Sequence, residues 1–320
     1  MTTELSEPVK PAVKRKRSRL RAFAVRVIVY GVLWEALCGV IAWQSVMPKR
    51  HYLKRNPSEQ HLTYLSQSFK SADGTRLAAW IIPAASELTK EDHGRAPVVI
   101  LCHGVDSTRE SLLPQAKLLH EAGFAVFMFD FRARGESGGD RCTLGYRETE
   151  DLLAAVAEVK RERPGGNTVI GVLGQSQGAA VTLMAAGKCA DIKAVCAESP
   201  YARLDHAVAN HFYSLLGAAG PLLGMPTRLF GELLIEKNCS EISPLAAMPQ
   251  IGSRPVLLIE DGADTLCPPA ETQALLRSSG GHAQLLKVPG AGHIQASWVQ
   301  PDTYRKTVLA FFKASLKPAP

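Results

Sequence analysis

From about residue 62 onward, short unbroken apolar runs alternate with longer stretches in which apolar residues recur at helical spacing. The runs Val98–Cys102 and Phe124–Phe129 read as buried strands, and Val169–Leu173, Ile192–Ala197, Val256–Glu260 and Ala283–Val288 as further strands. Leu65–Lys70 and Leu77–Ile82 flank Ala72-Asp73-Gly74, a hairpin signal. Helical spacing predicts a helix closed by Gly123, another within Leu144–Arg163 before Pro164-Gly165-Gly166, and further helices over Gln177–Ala186, Pro269–Ser278 and Pro301–Ala314. Strand and helix in turn predict an α/β architecture, a mostly parallel central sheet with helices on both faces. The alternation breaks over about residues 200–250, where short Leu- and Pro-rich helices suggest a small helical lid.

The N-terminal end has a different pattern. Seven basic residues between Lys10 and Arg21 precede an apolar stretch from Val27 to Pro48, about long enough to cross a hydrocarbon core of roughly 30 Å. Glu35 lies near its middle at a cost of about 3 kcal/mol, which the surrounding Val, Ile, Leu and Trp offset. The organisation expected is a basic arm (1–22), a transmembrane or signal-anchor segment (23–48), a linker (49–61) and a catalytic domain (62–320). Four basic residues follow the stretch (Lys49, Arg50, Lys54, Arg55), so the bias puts the N-terminus in the cytoplasm and the domain outside it. A signal peptide cut after Val40-Ile41-Ala42 and an amphipathic surface helix are the alternatives.

The formal charge of +7 then changes meaning. Residues 1–55 hold twelve Lys and Arg against three Glu, leaving 25 basic and 27 acidic residues elsewhere. A nucleic-acid-binding domain carries its positive charge on the folded part, so that class of partner is set aside. The seven cysteines form no CxxC pair and no zinc-type spacing; they read as small buried hydrophobes, and no metal or cofactor is implied. No feature specifies an oligomer.

The chemistry concentrates at turns after strands. Gly174-Gln175-Ser176-Gln177-Gly178 leads from an apolar strand straight into a helix, where a nucleophilic Ser needs a sharp turn between nearly side-chain-free neighbours. His103-Gly104-Val105 follows another strand; the backbone N–H groups of Val105 and Gln177 are the expected oxyanion hole. Asp264 lies in the loop after Val256–Glu260 and fits the role of acid better than Asp261. His293 ends the Gly-rich turn Val288-Pro289-Gly290-Ala291-Gly292 and is the expected base; His103 is not. The order Ser, Asp, His is that of the α/β-hydrolase fold.

With Ser71-Ala72-Asp73-Gly74, Ser107-Thr108-Arg109, Asp130-Phe131-Arg132, Gly135-Glu136-Ser137 and Ser199-Pro200-Tyr201, these motifs resemble the α/β-hydrolase superfamily, in particular bacterial Bem46-like and serine-aminopeptidase-like hydrolases. The resemblance covers about residues 62–316 and implies a cofactor-free serine hydrolase with a Ser176–His293–Asp264 triad. The chain departs from it at Gln177-Gly178-Ala179, Ala133-Arg134-Gly135 and Glu260-Asp261; the last adds two carboxylates near Asp264, and Glu198 is a further alternative acid. The activity expected is carboxylesterase-like cleavage of a small-molecule or lipid ester. The alternatives are a thioesterase, an aminopeptidase, and a membrane-tethered binding protein on a retired hydrolase scaffold.

Overall fold

The computed structural model describes residues 13–47, 49–88, 96–163 and 168–317. Part of the basic arm, with Glu4, Glu7 and Lys10, lies outside them, as do Pro48 and the Pro164-Gly165-Gly166 stop. Eight strands form one sheet in the order β1-β2-β4-β3-β5-β6-β7-β8. The hairpin β1 (Leu65–Lys70) and β2 (Arg76–Ile82) joins antiparallel to β4 (Ala125–Phe129), and β3 (Val98–Cys102), β5 (Ile170–Gln175), β6 (Ile192–Glu198), β7 (Val256–Asp261) and β8 (Ala283–Val288) continue parallel from there. Every residue of β3, β4 and β5 is buried, as their unbroken apolar runs predict, whereas the edge strands β1 and β8 are mostly exposed or half-buried.

Each face of the sheet closes its own core. One is filled from α3 (Leu113–Glu121) and α11 (Pro301–Ser315), through Leu113, Ala116, Leu119, Val308 and Phe312. The other takes Leu152, Val156 and Val159 of α4 (Tyr146–Glu162), the buried side of α5 (Gln177–Lys188) and Leu275 of α9 (Pro269–Ser278). Two short helices, α2 (Ala85–Leu88) and α10 (Ala296–Val299), complete the loops. The elements fall within a residue or two of where periodicity puts them.

Between β6 and β7 come α6 (Leu204–Leu216), α7 (Gly220–Ile235) and α8 (Pro244–Ile251). Only α6 and α7 stand off the sheet; α8 packs on α5 and buries Met248 and Ile251 in the main core. The N-terminal helix α1 (Val13–Val46) begins within the basic run and is exposed along most of its length. Its last turns bury Cys38, Ala42 and Val46, and it packs along α7. The carbonyl of Val46 accepts from the Cys142 amide at 2.7 Å. Residues 49–61 lie against the domain rather than hanging free: Glu110 accepts from the amides of Lys54 and Arg55, and Arg50 reaches the carbonyls of Ser137 and Gly139.

Candidate active site

The parallel register pairs Cys102 with Gly174 and Gln175 with Glu198, so the chain leaves β3, β5 and β6 at one edge of the sheet. The turn between β5 and α5 holds Ser176 at φ +55°, ψ −121°, a conformation that costs a non-glycine residue about 1–3 kcal/mol. Both flanking glycines are required by close approach. A Cβ on Gly174 would sit 2.3 Å from the Gly178 carbonyl oxygen, and one on Gly178 would sit 2.2 Å from that of Cys102. Gln177, the first residue of α5, has an amide with no carbonyl of its own helix to bond.

The other two sequence-expected residues converge on this serine. Ser176 Oγ donates to His293 Nε2 at 2.7 Å, and His293 Nδ1 donates to Asp264 Oδ2 at 2.7 Å. The second Asp264 oxygen accepts from the Leu266 and Cys267 amides, both at 2.9 Å, which fixes the carboxylate's orientation. A bond from the Ala263 amide to the Ala291 carbonyl, 2.7 Å, ties the loop of the acid to the loop of the histidine. Asp264 is fully buried, and the His293 side chain is one-fifth exposed.

The competing carboxylates are engaged elsewhere. Asp261 accepts from Ser199 Oγ at 2.6 Å and from the Gln295 amide, Glu198 from Gln175 Nε2 at 2.8 Å and from the Ala296 amide, and Glu260 from Gln273. Asp261 and Glu198 thus grip the backbone just after His293. This grip was not among the sequence expectations: Ser199, at φ +52°, entered only within the Ser199-Pro200-Tyr201 motif, and no motif marks a hydrogen bond to a backbone amide nearly a hundred residues away.

Burial, and then the neighbouring charge of Asp261, pushes the Glu198 carboxyl up to about 7 from an ordinary 4.5. Between those values the folded chain holds a proton that the unfolded chain has released. This group's contribution is therefore fully present below about pH 4.5 and lost as pH rises through 7. The melting midpoint is expected to fall by on the order of 5 °C between about pH 5 and pH 8, and Glu198→Gln to flatten that slope. Thermal melts of both proteins across the range check it; parallel slopes would rule it out.

On the opposite side of Ser176, His103 is buried and braces the turn after β3. Its Nδ1 donates to the Gly104 carbonyl at 2.8 Å, and its Nε2 accepts from the Phe131 amide at 3.1 Å. Burial lowers its pKa, and with both nitrogens bonded it has no lone pair for substrate. Gly104 passes so close that a Cβ there would lie 3.3 Å from Ser176 Cβ. Val105 and Gln177 both line the cavity in front of Ser176. Asp106 follows Val105 and pairs with the buried Arg134 at 2.7 Å, which gives the departure at Ala133-Arg134-Gly135 a structural use.

Among the described residues, Asp264, Cys267 and His293 are the one set of metal-type donors brought together. They suit a metal poorly. Asp264 already accepts three hydrogen bonds, and burial raises the Cys267 thiol well above its ordinary range, away from the thiolate a metal requires. All seven cysteines are free, and those buried in strands are packed as small hydrophobes.

The cavity in front of Ser176 measures about 900 Å³ and is walled by the domain, by α6 and α7, and by Ala42, Ser45 and Val46 of α1. That the N-terminal helix reaches the site was not expected from the sequence.

Residues 94–250 match the serine aminopeptidase S33 family. The matched span includes Gly104 and Ser176 and ends before Asp264 and His293. YqkD of Bacillus subtilis is 28% identical over 300 residues, 91% of this chain and 94% of its own. YfhR of Escherichia coli K12 is 28% identical over 256 residues, 79% of this chain and 82% of its own. Among solved structures, the Pyrococcus furiosus esterase Pf2001 is similar with a TM-score of 0.70 at 28% identity, covering 84% of this chain and 99% of the esterase. The Pyrococcus horikoshii acylaminoacyl peptidase shares the fold at a TM-score of 0.63 and 19% identity, over 81% of this chain and 42% of the peptidase. With this sheet order, these matches and a serine held at a strained strand-to-helix turn, the chain has the α/β-hydrolase fold.

Proposed function

We propose that the chain is a serine hydrolase that cleaves carboxylic esters through an acyl-enzyme. The observation that carries this is the unbroken line of two 2.7 Å hydrogen bonds from Ser176 through His293 to Asp264. In the first half-reaction Ser176 Oγ bonds to the ester carbonyl carbon while its proton passes to His293 Nε2. The charge that collects on the carbonyl oxygen meets the backbone N–H groups of Val105 and Gln177; one such donor is typically worth about 3–4 kcal/mol in the transition state. The carbon–alkoxide bond then breaks and His293 returns the proton to the departing alcohol. Water repeats the sequence on the acyl-enzyme, releasing the acid and restoring Ser176. Asp264 holds the tautomer that keeps the hydrogen on Nδ1 and stabilises the imidazolium.

One feature favours an ester over an aminopeptidase substrate. The cavity lining holds a single carboxylate among the described residues, Asp106, and its charge is already paired with Arg134, so it is poorly placed to hold a substrate amine. The similarity to an esterase points the same way.

We read α1 as a membrane anchor, with the basic run on the cytoplasmic side. Its span Arg19–Val46 is long and apolar enough to cross a bilayer, and nearly all of it is exposed. Cleavage after Ala42 would remove Ala42 from the cavity lining and, with Cys38, two of the three α1 residues buried against the domain, which favours an uncleaved anchor over a signal peptide. Turnover of p-nitrophenyl butyrate by the full chain and its loss in Ser176→Ala test the assignment; turnover that survives in the variant defeats it.

A further inference from the structure

Resting on that reading, we propose that the cavity holds the acyl chain of an ester drawn from a lipid bilayer, with the end of α1 as one wall. The site is then built from the anchor as well as from the hydrolase domain, and the substrate is a long-chain ester that shares the anchor's membrane.

Three observations support this. At about 900 Å³ the cavity lies at the upper end of the range for small-molecule sites, roughly 300–1,000 Å³. Beyond Ser176 and His293 its lining takes in Leu144, Leu204, Val208, Phe212 and Ile235 of the domain and Ala42 and Val46 of α1.

The helix that roofs the cavity has two opposed faces. Thr227, Gly231 and Ile235 of α7 look inward. Leu222, Met225, Leu229 and Leu233, at spacings of three and four, form a stripe on the outside, each half or more exposed. Tyr213 and Leu215 of α6 are exposed as well. A contiguous apolar surface of this kind marks an interface.

The anchor says which interface. From Val27 to Val46 the helix is about 29 Å long, close to a hydrocarbon core of roughly 30 Å. Arg19, Arg21 and Arg26 precede it, and Lys49, Arg50, Lys54 and Arg55 follow. Cys38, Ala42 and Val46, in the second half of that length, are the residues buried against the domain, and α7 packs alongside. Leu37, Val40 and Trp43 at the same level stay exposed. With α1 across a bilayer, the outer stripe of α7 lies against the leaflet that α1 leaves, and an acyl chain reaches Ser176 without crossing water.

The test uses the full chain in phosphatidylcholine–phosphatidylglycerol nanodiscs, with p-nitrophenyl acetate, butyrate and laurate as probes. For the wild type, kcat/KM is expected to rise roughly tenfold or more from acetate to laurate, as apolar groups enter a fitted pocket. Ala42→Trp on the anchor wall and Val208→Trp on the α6 wall each fill part of the cavity. Each is expected to lower the laurate-to-butyrate ratio by about tenfold or more. The wild-type profile tests the proposal even if one variant misfolds. A preference for acetate, or a laurate-to-butyrate ratio unmoved by either folded variant, overturns it and leaves the hydrolase reading standing. Absence of Ser176-dependent turnover on all three esters overturns both.

Discussion

Ser176→Ala should lower kcat on p-nitrophenyl butyrate by about a million-fold, with the fold and melting midpoint preserved. The size follows from the role: loss of the nucleophile removes the covalent route entirely, and only the oxyanion donors and substrate positioning remain. The serine side chain is small and bonds only His293 among the side-chain contacts described, so its removal disturbs little packing. Relief of the +55° φ is not expected, because alanine meets the same steric limit as serine. Initial-rate measurements beside a thermal melt separate a chemical loss from an unfolded protein. A fall below about a hundredfold would mean that another group is the nucleophile.

Asp264→Asn is the second large effect, expected at about 10⁴ in kcat with KM little changed. The amide is nearly isosteric and can still accept from the Leu266 and Cys267 amides, so the loop is retained. It lacks the negative charge that stabilises an imidazolium, and it can turn His293 to the wrong tautomer. Asp261→Asn is the matched comparison, since Asp261 ends the strand before this loop and also faces the segment of His293. It acts through Ser199 and the Gln295 amide, both of which an Asn oxygen can still bond, so its loss should stay within about tenfold. Paired kinetics on the two variants decide which carboxylate serves the histidine. The reverse ranking would give the role to Asp261.

These positions were legible in the sequence because elementary constraints wrote them locally. A nucleophile on a tight turn requires small neighbours, and Gly174 and Gly178 supply them where their missing side chains would strike the Gly178 and Cys102 carbonyls. A histidine after the last strand must bend back toward the sheet, and Gly290 and Gly292 permit it. The strands were legible for the same kind of reason, since burial on both faces leaves an unbroken apolar run. What escaped notice depends on contacts between distant segments. Glu198 and Asp261 both looked like rivals to Asp264, and only folding reveals that each is committed to the backbone beyond His293.

The anchor is the larger case. Its apolar character was plain, but its contact with the cavity was not, because mean hydropathy does not say which face of a helix meets protein. A trace was present: Cys38, Ala42 and Val46, small or medium side chains four residues apart, are the stripe that lets α1 approach the domain closely. Residues 200–250 were legible as an insertion but not as two parts. Pro249 lies within α8, where a local breaker suggests irregularity, yet packing on α5 keeps the segment helical and part of the main body. Arg134 appeared as a departure from a family pattern and proves to anchor the turn beside Val105 through Asp106.

The account rests on Ser176 being an activated nucleophile, and covalent capture tests that most directly. The purified full chain would be treated with a fluorophosphonate and digested, and the site of modification read by peptide mass spectrometry, beside Ser176→Ala and His293→Ala. The expected result is one phosphonate per chain, on the peptide bearing Ser176, absent from the first variant and slowed by orders of magnitude in the second. Modification at another residue, or none on a folded wild-type chain, would contradict it.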